Sequence, residues 1–292
     1  MREKPRIKEL QILLQKMVDI ANDSSTYEKL AAYIEKNYMS ILFMTAGELA
    51  AEANVSQGSV SRFCSALGYR GYNDFLRNLQ KFVSEEITAP QRLQYISGSN
   101  NNKKIRNILE MEHKNIDDLE AIINQPPYNE LVHKLVEAEK VVLLSARMSA
   151  TMLPYTCYIL NKIRSNVVQI TPHDPAWDTL SLENPEKTLV FGIVFPRYPN
   201  TLIVKFQELK ERGFTIAAIT DSMISPVSKM ADPIIYVPIT ISSIFDIYST
   251  PMILLNLLLR DVAKRIGGLQ DRLDALEKLE SKNNIYYQKF DD

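Results

Sequence analysis

The chain has 292 residues, a hydrophobic fraction of 46%, a charged fraction of 24% and a formal net charge of −1. These values are typical of globular proteins and allow two domains, and they exclude a generally basic nucleic-acid-binding chain. No apolar run reaches the length of a membrane span and the first residues do not resemble a signal peptide, so we expect a cytoplasmic protein without a membrane partner.

The first part of the chain shows apolar residues at helical spacing and no strand pattern. Five segments carry this spacing before residue 88: IKELQILLQKMVDI, STYEKLAAYIEKNY, TAGELAAEA, SQGSVSRFCSALG and GYNDFLRNLQKFVSEE. The third opens with Thr45 and has Glu48 three residues on, which predicts a capping box. We therefore expect an all-α domain over residues 1–87.

A change of composition follows at residues 88–104. The stretch TAPQRLQYISGSNNNKK is rich in Pro, Gly, Ser and Asn and has almost no periodicity, so we predict a linker. After it, short apolar runs alternate with helical segments: KVVLLSA, SNVVQIT, KTLVFGIVF, FTIAAIT and PIIYVPI. This alternation predicts a parallel sheet covered by helices on both faces. The second domain is expected over residues 105–280, with a tail at 281–292.

Two capped helices of the first domain meet at the stretch EANVSQG. Asn54 tolerates the left-handed backbone of a tight turn, and Ser56 is placed to cap the second helix. Ala50 permits a close crossing of the helices, and Val60 fills the angle between them. The pattern predicts a helix-turn-helix at about residues 45–67.

The second helix of this unit is built from small polar residues, which suit close approach to double-stranded DNA. In helix-turn-helix units this helix enters the major groove by its N-terminal end. The candidate DNA-binding residues are Thr45, Ser56, Gln57, Gly58, Ser59, Ser61 and Arg62. We expect all of these from Gln57 onward to be exposed, with Gln57 and Arg62 at base edges and Ser56 and Ser59 at phosphates. An ordinary helical hairpin with a solvated polar face is the alternative, and the combined spacing favours an operator-binding unit.

The stretch TAGELAAEANVSQGSVSRFCSALGYRGYNDFLRNL resembles the N-terminal domain of RpiR-type transcriptional regulators, including their LG(Y/F)xGYxxF tail. The second half is similar to the SIS (sugar isomerase) domain of these regulators, above all in AAITDSMISPVSKMADPIIYVP. The resemblance covers nearly the whole chain. It implies an all-α helix-turn-helix domain followed by an α/β domain, a five-stranded parallel sheet in a three-layer sandwich. It also implies binding of phosphorylated sugars or related acids.

The expected ligand loops depart from the pattern of the family. SIS domains usually carry GxGxS after the first strand and SxSGxT in a later loop, and this chain has SARMS and PRYPNT there. Prolines at 196 and 199 remove backbone donors, whereas Arg147 and Arg197 add guanidinium groups suited to phosphate or carboxylate. Both arginines follow strands, where open α/β sheets bind ligands. The candidate ligand-binding residues are Ser145, Arg147, Ser149, Arg197, Tyr198, Asn200 and Thr201. A surface salt bridge or a dimer contact is the alternative role for each arginine.

Three functions compete for this chain. It can be a regulator that senses a phosphorylated sugar or related small anionic metabolite, a DNA-binding regulator whose SIS domain serves only for oligomerisation, or a sugar-phosphate isomerase. An isomerase needs a general base, and the strand-end loops offer no carboxylate except Asp174 and Asp221, of which Asp221 is better explained as a turn cap. We therefore favour the sensing regulator and expect no catalytic residue.

The sequence also bears on partners. The segment PMILLNLLLRDVAKRI has more apolar surface than one covering helix needs, so we expect a homodimer or homotetramer. Cys64 and Cys157 have no Cys/His cluster around them and are expected to be packing residues. No metal ion and no cofactor is expected.

Overall fold

The computed structural model describes residues 5–21, 24–83, 88–96, 101–241 and 244–287. These residues form two compact units. The first runs to Leu119 and takes in two later stretches, Asp221–Ile224 and Pro238–Pro251. The second begins at Glu120 and holds the remaining described residues.

The first unit is built from helices. They are α1 (Pro5–Ala21), α2 (Ser25–Ile41), α3 (Ala46–Glu52), α4 (Gln57–Ala66), α5 (Tyr72–Val83), α6 (Ala89–Ile96) and α7 (Asn101–Ile123), whose last turn lies past the boundary. The prediction of at least five helices before residue 88 is confirmed. Leu30, Leu49, Phe63 and Phe75 are fully buried between them. The ring of Tyr27 meets that of Phe63 edge-on at 5.3 Å, which holds α2 against α4.

The second unit is an α/β sandwich. Its strands are β1 (Lys140–Leu144), β2 (Val167–Ile170), β3 (Thr188–Val194), β4 (Thr215–Thr220) and β5 (Ile234–Tyr236). Its helices are α8 (Pro126–Glu137), α9 (Leu153–Ile163), α10 (Ala176–Thr179), α11 (Asn200–Glu211), α12 (Ser249–Arg265, which begins in the first unit) and α13 (Leu269–Lys282). Short 3₁₀ turns stand at Arg147–Met152, Leu180–Leu182 and Pro226–Lys229. The prediction of five strands that alternate with helices is confirmed.

All five strands are parallel, in the order β2-β1-β3-β4-β5. Strand β3 is buried along its whole length, as expected for a central strand with both faces covered. The chain moves outward from β1 to β2 on one side and from β3 to β5 on the other. Right-handed crossovers then place α9 and α11 on opposite faces of the sheet. The point where the strand order reverses, between β1 and β3, is where open α/β sheets bind ligands.

The segment predicted as a linker, residues 88–104, holds helical structure. Helix α6 occupies Ala89–Ile96 and α7 begins at Asn101, while residues 97–100 lie outside the described ranges. The side chain of Arg92 is buried and bonded to Asp246, so a tertiary contact stabilises a helix for which the local composition gives little signal. The domain limits at 87, 104 and 280 stay predictions. In the predicted tail, α13 ends at Lys282 and residues 288–292 lie outside the described part of the chain.

A polar network that is buried except at Ser249 ties α7 to the stretch after β5 and to the start of α12. The carboxylate of Glu112 accepts hydrogen bonds from the hydroxyls of Ser249 and Thr250, the latter at 3.3 Å. The amide of Asn115 donates to Thr240 Oγ1 at 3.0 Å, and Asn115 is fully buried. Buried polar groups of this kind specify one arrangement of the segments that carry them, because each lost partner leaves an unsatisfied group.

The apolar residues of α12 are largely used inside the chain. Leu254, Leu255, Leu258 and Val262 are fully buried, whereas Asn256 is exposed. The excess apolar surface that suggested an oligomer is therefore smaller than the sequence indicates. The homodimer or homotetramer stays a prediction.

Candidate nucleic-acid interface and ligand loops

The helix-turn-helix of the first unit consists of α3, a tight turn and α4. Thr45 and Glu48 form the predicted capping box: the Thr45 N–H donates to Glu48 Oε2 at 2.7 Å, and the Glu48 N–H donates to Thr45 Oγ1 at 3.2 Å. Asn54 has the left-handed backbone that the turn requires, with φ of 53°. Ser56 caps α4 by accepting the Ser59 N–H at 3.2 Å. All three sequence predictions for this turn are confirmed.

The exposed face of α4 carries most of the candidate DNA-binding residues. Ser56, Gln57, Gly58, Ser61 and Arg62 are exposed, and Thr45 at the start of α3 is half-buried. These side chains are therefore available at the N-terminal end of the second helix, the end that helix-turn-helix units insert into the major groove.

Ser59 differs from its predicted environment. Its side chain is only 8% exposed, so the expectation that it is an exposed position is wrong. Its hydroxyl lies 2.9 Å from Ser56 Oγ and accepts a hydrogen bond from Arg62 Nη2 at 3.2 Å. Its position in the helix buries Ser59, and Ser56 and Arg62 satisfy its hydroxyl. Its predicted contact with phosphate has no support in this placement.

The face of α4 opposite the polar residues anchors the helix. Val60, Phe63 and Cys64 are buried there. Burial raises the pKa of the Cys64 thiol to about 12, because the low-dielectric interior disfavours the thiolate. Cys64 is thus a neutral packing residue, in agreement with the sequence interpretation.

The turn between α4 and α5 presents Arg70 to solvent. Gly68 and Gly71 have positive φ angles of 93° and 147°, which glycine adopts without strain. Between them, Tyr69 Oη donates to Asn78 Oδ1 at 2.9 Å, whereas Arg70 is exposed. The hydroxyl of Tyr72 donates to the carbonyl of Met44 at 3.0 Å and fixes the turn against the segment that precedes α3.

A cleft of about 560 Å³ opens beside this turn, within the first unit. It is lined by the start of α3, by Gln57, by Arg70–Asp74 and by side chains of α7 that include Arg106 and Lys114. Arg70, Arg106 and Lys114 are not among the candidate site residues predicted from the sequence. The charged residues from 54 to 81 are Arg62, Arg70, Arg77 and Lys81 against Asp74, and this basic bias is the sequence signal for Arg70. Nothing in the local sequence relates α7 to Gln57.

The predicted ligand loops of the second unit follow neighbouring strands. The last residue of β1, Leu144, pairs with Gly192 of β3, so both loops begin at the same edge of the sheet. Ser145 Oγ donates to the carbonyl of Ile193 at 2.6 Å, and Ser145 has no exposed surface. Because that hydroxyl is buried and bonded, Ser145 has a structural role, and its predicted contact with a ligand has no support in this placement.

Ser149 joins the two loops. Its hydroxyl accepts the N–H of Phe195 at 3.3 Å, and the side chain is 6% exposed. Ser149 therefore lies where the sequence predicted, at the loop after β1, and links this loop to the end of β3.

Arg147 and Arg197 share an uncommon backbone conformation. Their φ angles are 57° and 61°, in the left-handed region that disfavours side chains with a Cβ. Both side chains are exposed, and neither makes an ion pair or hydrogen bond with the residues that the structure describes. Arg147 stands where the GxGxS pattern has its second glycine, so the chain retains the glycine-type backbone and adds a guanidinium group.

The remaining loop candidates surround the start of α11. Pro199 precedes the helix as its N-cap, and Asn200 and Thr201 are exposed in the first turn. Tyr198 is half-buried and packs against the hydrophobic core of the second unit, as Trp177 of α10 also does. Tyr198 therefore has a packing role in the core and is partly accessible at the loop.

Together, these features define a helix-turn-helix regulator with a SIS-type α/β domain. Residues 9–86 match the rpiR-family helix-turn-helix domain, and residues 134–260 match the SIS domain. An uncharacterized HTH-type transcriptional regulator of Caldanaerobacter subterraneus subsp. tengcongensis is 23% identical over 212 residues, which cover 70% of this chain and 72% of that protein. The chain belongs to the RpiR-type transcriptional regulators.

Two solved structures share the fold. The NanR protein of Vibrio vulnificus, complexed with ManNAc-6P, is 17% identical with a TM-score of 0.54, over 93% of this chain and 98% of that one. The sugar isomerase domain of an RpiR transcription factor from Sphaerobacter thermophilus is 21% identical with a TM-score of 0.51, over 60% of this chain and 97% of that one. Among the described residues, no helix has both the length and the apolar character that a membrane span needs.

Proposed function

We propose that this regulator senses a phosphorylated sugar or a related anionic metabolite at the loops after β1 and β3, and that the ligand controls operator binding by α4. One observation carries the proposal: Arg147 and Arg197 are exposed, unpaired in the described structure, and placed at neighbouring strand ends. This edge of the sheet, at the point where the strand order reverses, is the usual ligand position in open α/β domains.

The chemistry of the two loops suits an anion with hydroxyl groups. A guanidinium group presents a planar set of donors that matches phosphate and carboxylate. Asn200 and Thr201 supply an amide and a hydroxyl at the start of α11, where the backbone also favours negative charge. The ligand would thus contact Arg147 and Arg197 through its acid group, and Asn200 and Thr201 through its hydroxyls.

The DNA-binding half of the proposal rests on the exposed face of α4. Gln57 and Arg62 would reach base edges in the major groove, and Ser56 would contact a phosphate. Gly58 and Ser61 permit close approach because their side chains are small.

Use of the SIS domain for oligomerisation alone is the second candidate. The departure in the loop after β3 favours it, since Pro196 and Pro199 cannot donate backbone hydrogen bonds. A sugar-phosphate isomerase has less support. Asp174 accepts hydrogen bonds from the N–H and the hydroxyl of Thr171, at 3.3 and 3.4 Å, and so closes its own turn. Asp221 is only 8% exposed.

The NanR complex supports the sensing proposal at the level of the fold, since that protein binds ManNAc-6P. The test is thermal unfolding of the full chain against a panel of sugar phosphates and sugar acids. A compound that raises the melting temperature is then added to operator-binding assays. We expect at least one anionic compound both to stabilise the protein and to change its affinity for DNA. If no compound of the panel stabilises the protein while operator binding is intact, the result would favour a SIS domain that serves only for oligomerisation.

A further inference from the structure

We propose that the cleft beside α4 binds the sugar-phosphate backbone of the operator, with Arg70 as the main contact and Arg106 and Lys114 of α7 as further contacts. This inference rests on the DNA-binding half of the proposed function and extends it to α7, which lies outside the helix-turn-helix match at residues 9–86. The cleft belongs wholly to the first unit.

The position of the cleft matches the path of a DNA strand. In helix-turn-helix units the first helix crosses the backbone while the second enters the groove. The cleft is lined both by the start of α3, at Thr45–Gly47, and by Gln57, the first residue of α4. A backbone that flanks the groove occupied by α4 would pass along this cleft.

Arg70 is presented to that path by its turn. Gly68 and Gly71 supply the two left-handed backbone positions, and Tyr69 packs edge-on against Phe75 with ring centroids 5.5 Å apart. The turn is thereby fixed, whereas the Arg70 side chain is exposed. Its guanidinium group has no partner in the described part of the chain, although its backbone N–H donates to Asp74.

The charges in the cleft favour an anion. Arg70, Arg106 and Lys114 face Asp74 and Glu110. Burial disfavours ionised Asp74, but the Arg70 N–H and the nearby Lys114 and Arg77 outweigh it and lower the pKa of this carboxyl. Glu110 accepts from Arg106 Nε at 3.1 Å in a highly exposed pair, which solvent screens. Both carboxylates thus have local cationic or N–H partners, and Arg70 is left to bind an external anion.

Phosphate contacts have a direct signature, because each one releases counterions and contributes about 0.9 to the slope of log K against log salt. The probes are a duplex selected by the wild-type protein from random sequences and a scrambled duplex of equal length. The slope is negative, and Arg70→Ala should reduce its magnitude by about 0.9. The double variant Arg106→Ala/Lys114→Ala should reduce its magnitude by about twice as much. Each variant should lower the affinity for the selected duplex and for the scrambled duplex by the same factor. The matched controls are Lys278→Ala and Lys278→Ala/Lys282→Ala, which remove exposed charges of α13 and should leave the slope unchanged.

Arg70→Lys keeps the charge and should retain the slope, which separates loss of a contact from loss of folding. Wild-type slopes in both alanine variants would overturn the proposal. So would weakening confined to the selected duplex, which would make Arg70 a base contact. If inorganic phosphate raises the melting temperature of wild type but not of Arg70→Ala while the slopes coincide, the cleft binds a small anion and the proposal is wrong. If the wild-type protein selects no duplex from the random sequences, the proposed DNA-binding function itself fails.

Discussion

The guanidinium group of Arg92 lies 2.5 Å from the carboxylate of Asp246, and the two side chains are 4% and 8% exposed. The pair joins α6 to the stretch after β5, across 154 residues of sequence. Two opposite charges at this depth are stable only together, since either one alone would be buried without compensation. The pair therefore holds α6 in a region whose composition suggests a linker.

Removal of one member of this pair should be strongly destabilising. Arg92→Ala or Asp246→Ala is expected to lower the free energy of unfolding by about 3–5 kcal/mol, because the partner charge stays buried. Urea unfolding of the full chain measures the effect. Arg106→Ala breaks an exposed ion pair and should change the stability by about 1 kcal/mol at most. Equal effects in the two positions would show that the Arg92 pair is open to solvent.

Arg62 should carry base-specific recognition. Arg62→Ala is expected to weaken operator binding by about 1–3 kcal/mol and to relax the preference at one base pair. Competition assays with operator and random duplexes separate the two effects. Ser65→Ala is the control, since Ser65 lies on the same helix and its hydroxyl donates to the carbonyl of Ser61 at 3.1 Å. Equal losses on both kinds of duplex would make Arg62 a phosphate contact.

Arg197 can be tested without loss of the fold, because its backbone is left-handed. Arg197→Gly removes the side chain, suits the φ of 61° and should stabilise the unliganded protein by about 1 kcal/mol. It should nevertheless abolish the response to the stabilising metabolite. Arg197→Lys should also lose this response, because a point charge cannot reproduce two parallel hydrogen bonds. Melting temperatures with and without the compound provide the measurement, and an unchanged response in the glycine variant would remove Arg197 from the site.

Gly192 provides a test of sheet packing. A Cβ at this position would lie 2.5 Å from Phe206 Cζ, so the fully buried ring of Phe206 would have to shift against its packed neighbours. Gly192→Ala should therefore lower the stability by about 1–3 kcal/mol. Gly267→Ala is the matched control, because a Cβ there meets nothing within 4 Å. Chemical denaturation compares the two, and a neutral Gly192→Ala would show that α11 can shift away from β3.

Asp261 should make the stability depend on acid pH. Hydrogen bonds from Arg260, opposed by burial and aided by Tyr128 and Lys264, lower the pKa of this carboxyl from 3.8 to about 2. Folding therefore favours the ionised form: the stabilisation is present above pH 3.8 and is lost as the pH falls through about 2. After allowance for solvent screening, it amounts to about 1 kcal/mol.

Asp261→Asn should remove this contribution at neutral pH and flatten the stability profile over that acid range. Thermal unfolding at a series of pH values provides the measurement. Glu277→Gln, which removes an exposed charge on α13, is the control. A profile for Asp261→Asn that parallels wild type would assign the acid sensitivity to other carboxyls.

Local patterns predicted most of the fold. The capping box at Thr45, the left-handed Asn54 and the cap at Ser56 all follow from interactions within four residues, and the five strands follow from continuous apolar runs. Helix α6 was missed because the bond from Arg92 to Asp246 spans 154 residues and leaves no local pattern.

The candidate sites were predicted less completely, for the same reason. Whether a serine in a strand-end loop faces a ligand or the core depends on the neighbouring strand, and Ser145 bonds to Ile193 of β3. The cleft that brings Lys114 near Gln57 depends on the tertiary placement of α7. A pattern of residue types also does not predict the left-handed backbone at Arg147 and Arg197. For Arg147 a signal was available, because the family's GxGxS pattern has its second glycine at that position.

The hydrogen bond from Arg62 to Ser59 has a consequence for the entropy of DNA recognition. A free arginine side chain samples many rotamers and loses that freedom when it binds a base, at a cost of about 0.5–1.5 kcal/mol. Ser59 is itself held by Ser56 and restricts Arg62 before any DNA arrives. Part of the ordering is thus completed in the free protein. If Arg62 reads a base as proposed, the buried Ser59 would strengthen that reading by ordering the arginine beforehand.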